Sequence, residues 1–282
     1  MAGDEVRERT ISVEGLRLFV REQGEGHPLL MFNGIGGNAD MWGSAAEVLA
    51  LGSRTISIDS PGTGRSDTSL YPLPMHALSR VVLAALDELD YERVDVMGFS
   101  FGGALAQQVA FDAPERIRRL ALVSTACGWG SRIGAVSAIA AIATPFRYLS
   151  TDWYAFTNGL LGEGDDATDF TVGRFVHPPT PLGYAYQLWA LATWSSVGWL
   201  HRVEAPTLVI SGGRDRLVPV ENAVQLARLV PRSRLHILPA AAHLTMYYRA
   251  GVAPLLLADY FSSASLDDSR AWSDGVDLAD IA

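Results

Sequence analysis

The sequence predicts an α/β protein, built on a mostly parallel, doubly wound eight-stranded sheet with a helical insertion. Three observations predict it. Short β-rich runs alternate with helical stretches along the 282 residues. The later runs are apolar almost without interruption, as strands covered on both faces are. One long aromatic-rich segment, residues 128–200, breaks the alternation.

Taken in order, residues 9–22 (RTISVEGLRLFVRE) read as a hairpin turning at Glu14-Gly15. Six further strands follow: PLLMFNG (28–34), TISIDSP (55–61), VDVMGFS (94–100), RLALVST (119–125), PTLVISGG (206–213) and RLHILPA (234–240). Helical apolar spacing marks residues 76–90 and 221–229, and 246–261 reads as a closing helix. Residues 1–127 and 201–262 then form the core domain. The 128–200 segment holds five of the seven tryptophans and is too long for a structureless loop, so it is expected to fold as a helical cap. The last twenty residues, 263–282, carry five aspartates against one arginine and read as a solvated, disordered tail.

Composition excludes several functions. A net charge of −9 with no basic stripe argues against a nucleic-acid partner. No apolar run approaches the roughly 20 residues that span a bilayer, and the N-terminus lacks a secretory pattern. A cytoplasmic location is expected. The chain contains no lysine, which removes Schiff-base and P-loop chemistry. The single Cys127 rules out an internal disulfide and reads as a buried structural thiol. Six scattered histidines lack zinc-site spacing, and Gly34-Ile35-Gly36 lacks the third glycine of a dinucleotide loop, so neither metal nor cofactor is expected.

The chemistry centres on Gly98-Phe99-Ser100-Phe101-Gly102, a G-x-S-x-G turn between an apolar strand and a helical run. A reversal that tight strains its central residue and leaves no room beside it, which is why glycines flank the serine. The hydroxyl then stands above the sheet, over a helix N-terminus that favours negative charge. A serine needs a base and an orienter for that base, expected in chain order after later strands. Asp215 follows PTLVISGG, and His243 follows RLHILPA. Among other histidines, His236 lies within a strand, His177 and His201 belong to the insertion or its exit, His27 precedes a strand and His76 starts a helix. Asp59, in IDSPGTGRSD, reads as a loop-shaping acid. Backbone N–H groups of Phe101 and of Ile35, in the glycine-rich loop after the third strand, are expected to form an oxyanion hole. Asn33, Gly34 and the insertion's Trp129, Trp189 and Trp194 are expected to contact substrate.

These motifs resemble the α/β-hydrolase fold superfamily over roughly residues 10–262. Within it, LLMFNGIGGN, MGFSFGGALAQQVAFDAPERIRRLALVSTA and GYAYQLWALATWSSVGWLHRVEAPTLVISG resemble the intracellular poly(3-hydroxyalkanoate) depolymerases and their relatives. Ala242 departs from the glycine that commonly precedes the histidine. The resemblance implies a serine hydrolase of a hydrophobic small-molecule or oligomeric ester. Thioesterases, lactonases, acyltransferases and cyclases share the frame, as would an apolar-ligand receptor built on it.

Overall fold

Glu14 and Gly15 both take positive φ, 51° and 76°, and this reversal joins β1 (Arg7–Val13) to β2 (Leu16–Gln23) in antiparallel register. The computed structural model describes residues 6–161, 173–247 and 251–278. Strands β3 (His27–Phe32), β4 (Ser53–Ile58), β5 (Val94–Phe99), β6 (Ile117–Val123), β7 (Thr207–Gly212) and β8 (Ser233–Leu238) complete one eight-stranded sheet. Its order is β1-β2-β4-β3-β5-β6-β7-β8, and every pair beyond β2·β4 is parallel. The doubly wound sheet expected from the strand–helix rhythm is the observed one.

Why the central strands are continuously apolar is visible in how they divide their side chains. Leu29, Met31, Met97, Phe99, Ala121 and Val123 enter one core. Their neighbours Leu30, Phe32, Val96, Leu120 and Leu122 enter the other. Successive side chains of a strand point to opposite faces, so a strand buried on both needs apolar residues at every position. Helices Met75–Glu88, Phe101–Asp112 and Glu221–Leu229 cover the second face, while Gly43–Ala50 and Val252–Ser262 cover the first. The closing helix begins later than periodicity suggested, and part of the intervening stretch, 248–250, lies outside the described residues.

Between β6 and β7 run helices Val136–Ile142, Thr151–Leu161 and Pro181–Ala192. Thr180 caps the last of these through its side chain, accepting the Gly183 N–H, and Pro181 follows at the first helical position, where a missing N–H costs nothing. No helix among the described residues is long and apolar enough to cross a membrane.

The C-terminal segment corrects the sequence reading. Through residue 278 it folds back on the body instead of lying in solvent. Ser269 caps a short helix, Arg270–Ser273, and Trp272 stacks on Tyr260 with centroids 5.8 Å apart. Asp259 accepts from the Ser269 hydroxyl and the Ala271 N–H, while Val276 bridges to Leu235 on the edge strand β8. The aspartate count concealed one tryptophan and one cap. Those two features, with Arg234 pairing to Asp277, outweigh a local excess of negative charge.

Candidate active site

Ser100 sits at φ 53°, ψ −116°, a backbone conformation that non-glycine residues seldom adopt. It directly follows β5 and immediately precedes the helix Phe101–Asp112. The strain is held from several sides. The Ser100 N–H donates to the Val123 carbonyl at 2.9 Å, and its own carbonyl accepts from Gly103 N–H and the Thr125 hydroxyl. The flanking glycines are required by contact: a Cβ on Gly98 would lie 2.2 Å from the Gly102 carbonyl oxygen, and one on Gly102 would lie 2.2 Å from that of Phe32.

The structure brings Ser100, Asp215 and His243 together. His243 Nε2 is 3.1 Å from Ser100 Oγ, and its Nδ1 is 2.8 Å from Asp215 Oδ2. A carboxylate can only accept, so Nδ1 carries the proton and Nε2 is left to accept from the serine hydroxyl. The other Asp215 oxygen accepts the N–H groups of Leu217 and Val218 at 2.9 and 2.8 Å, which holds the carboxylate in place. The Asp215 and His243 side chains are buried, and the imidazole leans on the Phe99 ring, centroids 5.2 Å apart. His236 is elsewhere, bonded to the Ala271 carbonyl, and His177 pairs with Asp40.

The loop after β3 stands beside Ser100 because β3 and β5 pair in parallel with Phe32 opposite Gly98, so both strands end level. Within the loop, Gly34 N–H donates to Asn33 Oδ1, Gly36 N–H to Gln187 Oε1 and Gly37 N–H to the Gly34 carbonyl. The Ile35 N–H is the one in residues 34–37 without a hydrogen-bond partner among the described residues. It shares a trans peptide plane with the Gly34 carbonyl, so it points the opposite way from that carbonyl's contact with Gly37. The Tyr148 hydroxyl donates to the Ile35 carbonyl. Phe101 opens its helix, and its N–H has no intrahelical acceptor.

Two cavities meet at Ser100. The larger, about 510 Å³, is mostly apolar and is lined by Phe101, Trp129, Ile133, Ile139, Leu191 and Val218 among others. The smaller, about 30 Å³, lies on the other side against Asn33, Gly34, Ile35 and His243. Of the residues expected to contact substrate, Trp129 lines the larger cavity and Gly34 the smaller. Asn33 also lines the smaller one, but its amide is committed to the loop: Oδ1 accepts from Gly34 N–H and the Tyr247 hydroxyl, and Nδ2 donates to the Asn38 carbonyl.

Two tryptophan expectations are corrected. Trp194 is buried in the core and donates to Gln108, and Trp189, half exposed on its helix, lines neither cavity. A tryptophan count marks the aromatic segment without telling which ring turns inward. Tyr148, Arg147, Arg174, Tyr184 and Gln187, which do face the site or brace its loop, carried no sequence signal beyond lying in that segment. Asp59 behaves as a loop-shaping acid: it accepts the N–H groups of Ala39 and Arg65, and burial pushes its carboxyl up to about 6. The Cys127 thiol is fully buried, and burial pushes it up to about 11, far from a reactive thiolate.

This fold, with a strained serine at the end of a central parallel strand, defines the class of α/β hydrolases. The sequence profile of the alpha/beta hydrolase fold matches residues 27–250, and the chain belongs to that family and is a hydrolase. It is 36% identical over 258 residues to a poly(3-hydroxyalkanoate) depolymerase of Ectopseudomonas oleovorans, covering 88% of this chain and 90% of the relative. It is 28% identical over 273 residues to the 2-hydroxymuconate semialdehyde hydrolase of Pseudomonas sp. (strain CF600), covering 91% and 94%. Among solved structures, the enol-lactonase from Burkholderia xenovorans LB400 shares the fold with a TM-score of 0.76 at 24% identity, over 90% of this chain and 100% of that one.

Proposed function

We propose that this hydrolase cleaves a carboxylic ester of a hydrophobic, hydroxyalkanoate-type acyl chain through an acyl-enzyme. The observation that carries the reading is the Asp215–His243–Ser100 hydrogen-bond chain opening onto the apolar cavity. Ser100 Oγ attacks the ester carbonyl while His243 Nε2 takes its proton. Asp215 stabilises the imidazolium so formed. The oxygen of the tetrahedral intermediate lies between the N–H groups of Ile35 and Phe101, an arrangement in which each donor contributes about 2.7–4 kcal/mol. His243 then protonates the departing alcohol. A water deprotonated by the same nitrogen attacks the acyl-enzyme and releases the acid.

The acyl chain lies in the larger cavity, where each buried CH₂ contributes about 0.8 kcal/mol. Identity to the depolymerase supports a hydroxyalkanoate-type acid in particular. The test is labelling by a fluorophosphonate together with turnover of medium-chain hydroxyalkanoate esters in ¹⁸O-water. Wild-type enzyme is expected to label once and to place one solvent oxygen in the acid, and Ser100→Ala to do neither. Labelling that persisted in Ser100→Ala would overturn the nucleophile, and acid lacking solvent oxygen would point to acyl transfer.

A further inference from the structure

Two arginines lie at the smaller cavity with no part in the proton relay. Arg147 and Arg174 are 4% and 2% exposed, and both line the roughly 30 Å³ space that also touches Ser100, His243 and Ile35. No aspartate or glutamate lines that space among the described residues. Arg147 donates one bond, from Nη2 to Asn158 Oδ1 at 2.8 Å, and its buried Nε has no hydrogen-bond partner.

The surroundings are aromatic. Arg174 lies 4.4 Å from the Tyr148 ring centroid and 4.7 Å from that of Tyr154, and Arg147 lies 5.6 Å from the same Tyr154. A ring face offsets part of a buried cation's lost hydration, but two cations on one ring repel each other. Burial, reinforced by Arg174, pushes the Arg147 guanidinium down to about 10, so it still carries its charge at neutral pH. A guanidinium enclosed with an unfilled N–H is costly unless an anion completes it. Its planar fork matches a carboxylate, and the cavity is large enough for one or two oxygen-sized groups.

We propose that Arg147 and Arg174 form a subsite for an ionised carboxylate on the substrate. The enzyme then prefers esters of hydroxy acids whose carboxyl end is free. The proposal rests on the ester-hydrolase reading for the scissile bond. His243, which protonates the departing alcohol, lines this cavity and not the larger one, so the carboxylate belongs to the hydroxy acid that is released.

Binding separates the two ideas because it needs no turnover. In Ser100→Ala protein, calorimetry compares a 3-hydroxyalkanoate dimer bearing a free carboxylate with its methyl ester. The acid is expected to bind at least tenfold more tightly, and adding Arg147→Leu is expected to erase that preference. Arg147→Lys, which keeps the charge and loses the fork, is expected to retain part of it, and it serves if the leucine variant does not fold. Equal affinity for acid and ester, or a preference that survives Arg147→Leu, overturns the subsite. Wild-type turnover of the free-acid dimer is scored separately: its absence counts against the ester-hydrolase reading, while the affinity ratio still decides the subsite.

Discussion

His243 Nε2 lies 3.1 Å from the Ser100 Oγ although 143 residues separate them. The closeness follows from sheet order. Ser100 follows β5, two strands from β7, which leads to Asp215, and three from β8, which leads to His243. Parallel pairing brings all three strand ends to one edge, where loops of different length can converge.

Asp215→Asn tests the proposed relay without disturbing the loop's shape. An amide nitrogen facing Nδ1 would donate where an acceptor is required, favouring the wrong imidazole tautomer. A fall in kcat of about 10⁴ is expected, as for the equivalent change in a serine-protease triad. Pre-steady-state acylation kinetics would measure it, and a loss under tenfold would remove Asp215 from the relay.

Gly98→Ala probes the contact at the elbow. The added methyl would sit 2.2 Å from the Gly102 carbonyl oxygen, so backbone must move. A destabilisation of roughly 3 kcal/mol or more is expected in urea unfolding, with activity lost even in any folded fraction.

On the proposed ester-hydrolase reading, the larger cavity's wall sets chain-length preference. Ala126 lines it, and Ala126→Phe shortens the available space. Specificity should shift toward shorter acyl esters by about fourfold in kcat/KM for each methylene excluded, the equivalent of about 0.8 kcal/mol. Acetyl esters are the internal control.

Cys127 supplies a pH test. Burial raises its thiol from an ordinary 9.0 to about 11, so the folded state favours the neutral form. That contribution is complete below pH 9 and is lost as the pH rises through 11. Native protein at pH 8 is expected to resist an aromatic disulfide reagent, with one thiol reacting after denaturation. Rapid labelling of the native protein would contradict the burial.

The C-terminal segment contributes stability. Trp272→Ala removes the ring stacked on Tyr260, and a loss of about 1–2 kcal/mol is expected by urea unfolding. Removal of residues 264–282 should cost at least as much, since Asp259 loses both its tail partners. An unchanged unfolding midpoint would show that the packing is energetically neutral.

Much of the fold was legible because it rests on local rules. Periodicity located all eight strands, since each central strand must be apolar on both faces. The residue types around Ser100 were legible because the turn excludes side chains at Gly98 and Gly102. That Ser100, Asp215 and His243 would meet was legible because the end of a strand is a topological position that sequence order reveals. The loop carrying Ile35 could be placed beside Ser100 for the same reason, as the loop after β3 is next to β5.

The lining of the site was decided only by the tertiary structure. Trp129 and Trp194 come from the same aromatic segment, yet one borders the apolar cavity and the other closes the core against Gln108. Arg147 and Arg174 look like surface residues by composition and are buried together beside Ser100. The tail's aspartates suggested solvent, and Trp272 brought the segment back to the body. The sequence by itself determined the sheet and the strand ends at which Ser100, Asp215 and His243 meet, because backbone strain and strand burial are paid locally at each residue. Which side chains line the two cavities depends on how the segment between β6 and β7 packs over the sheet, a sum of many weak long-range contacts that no single stretch of sequence encodes.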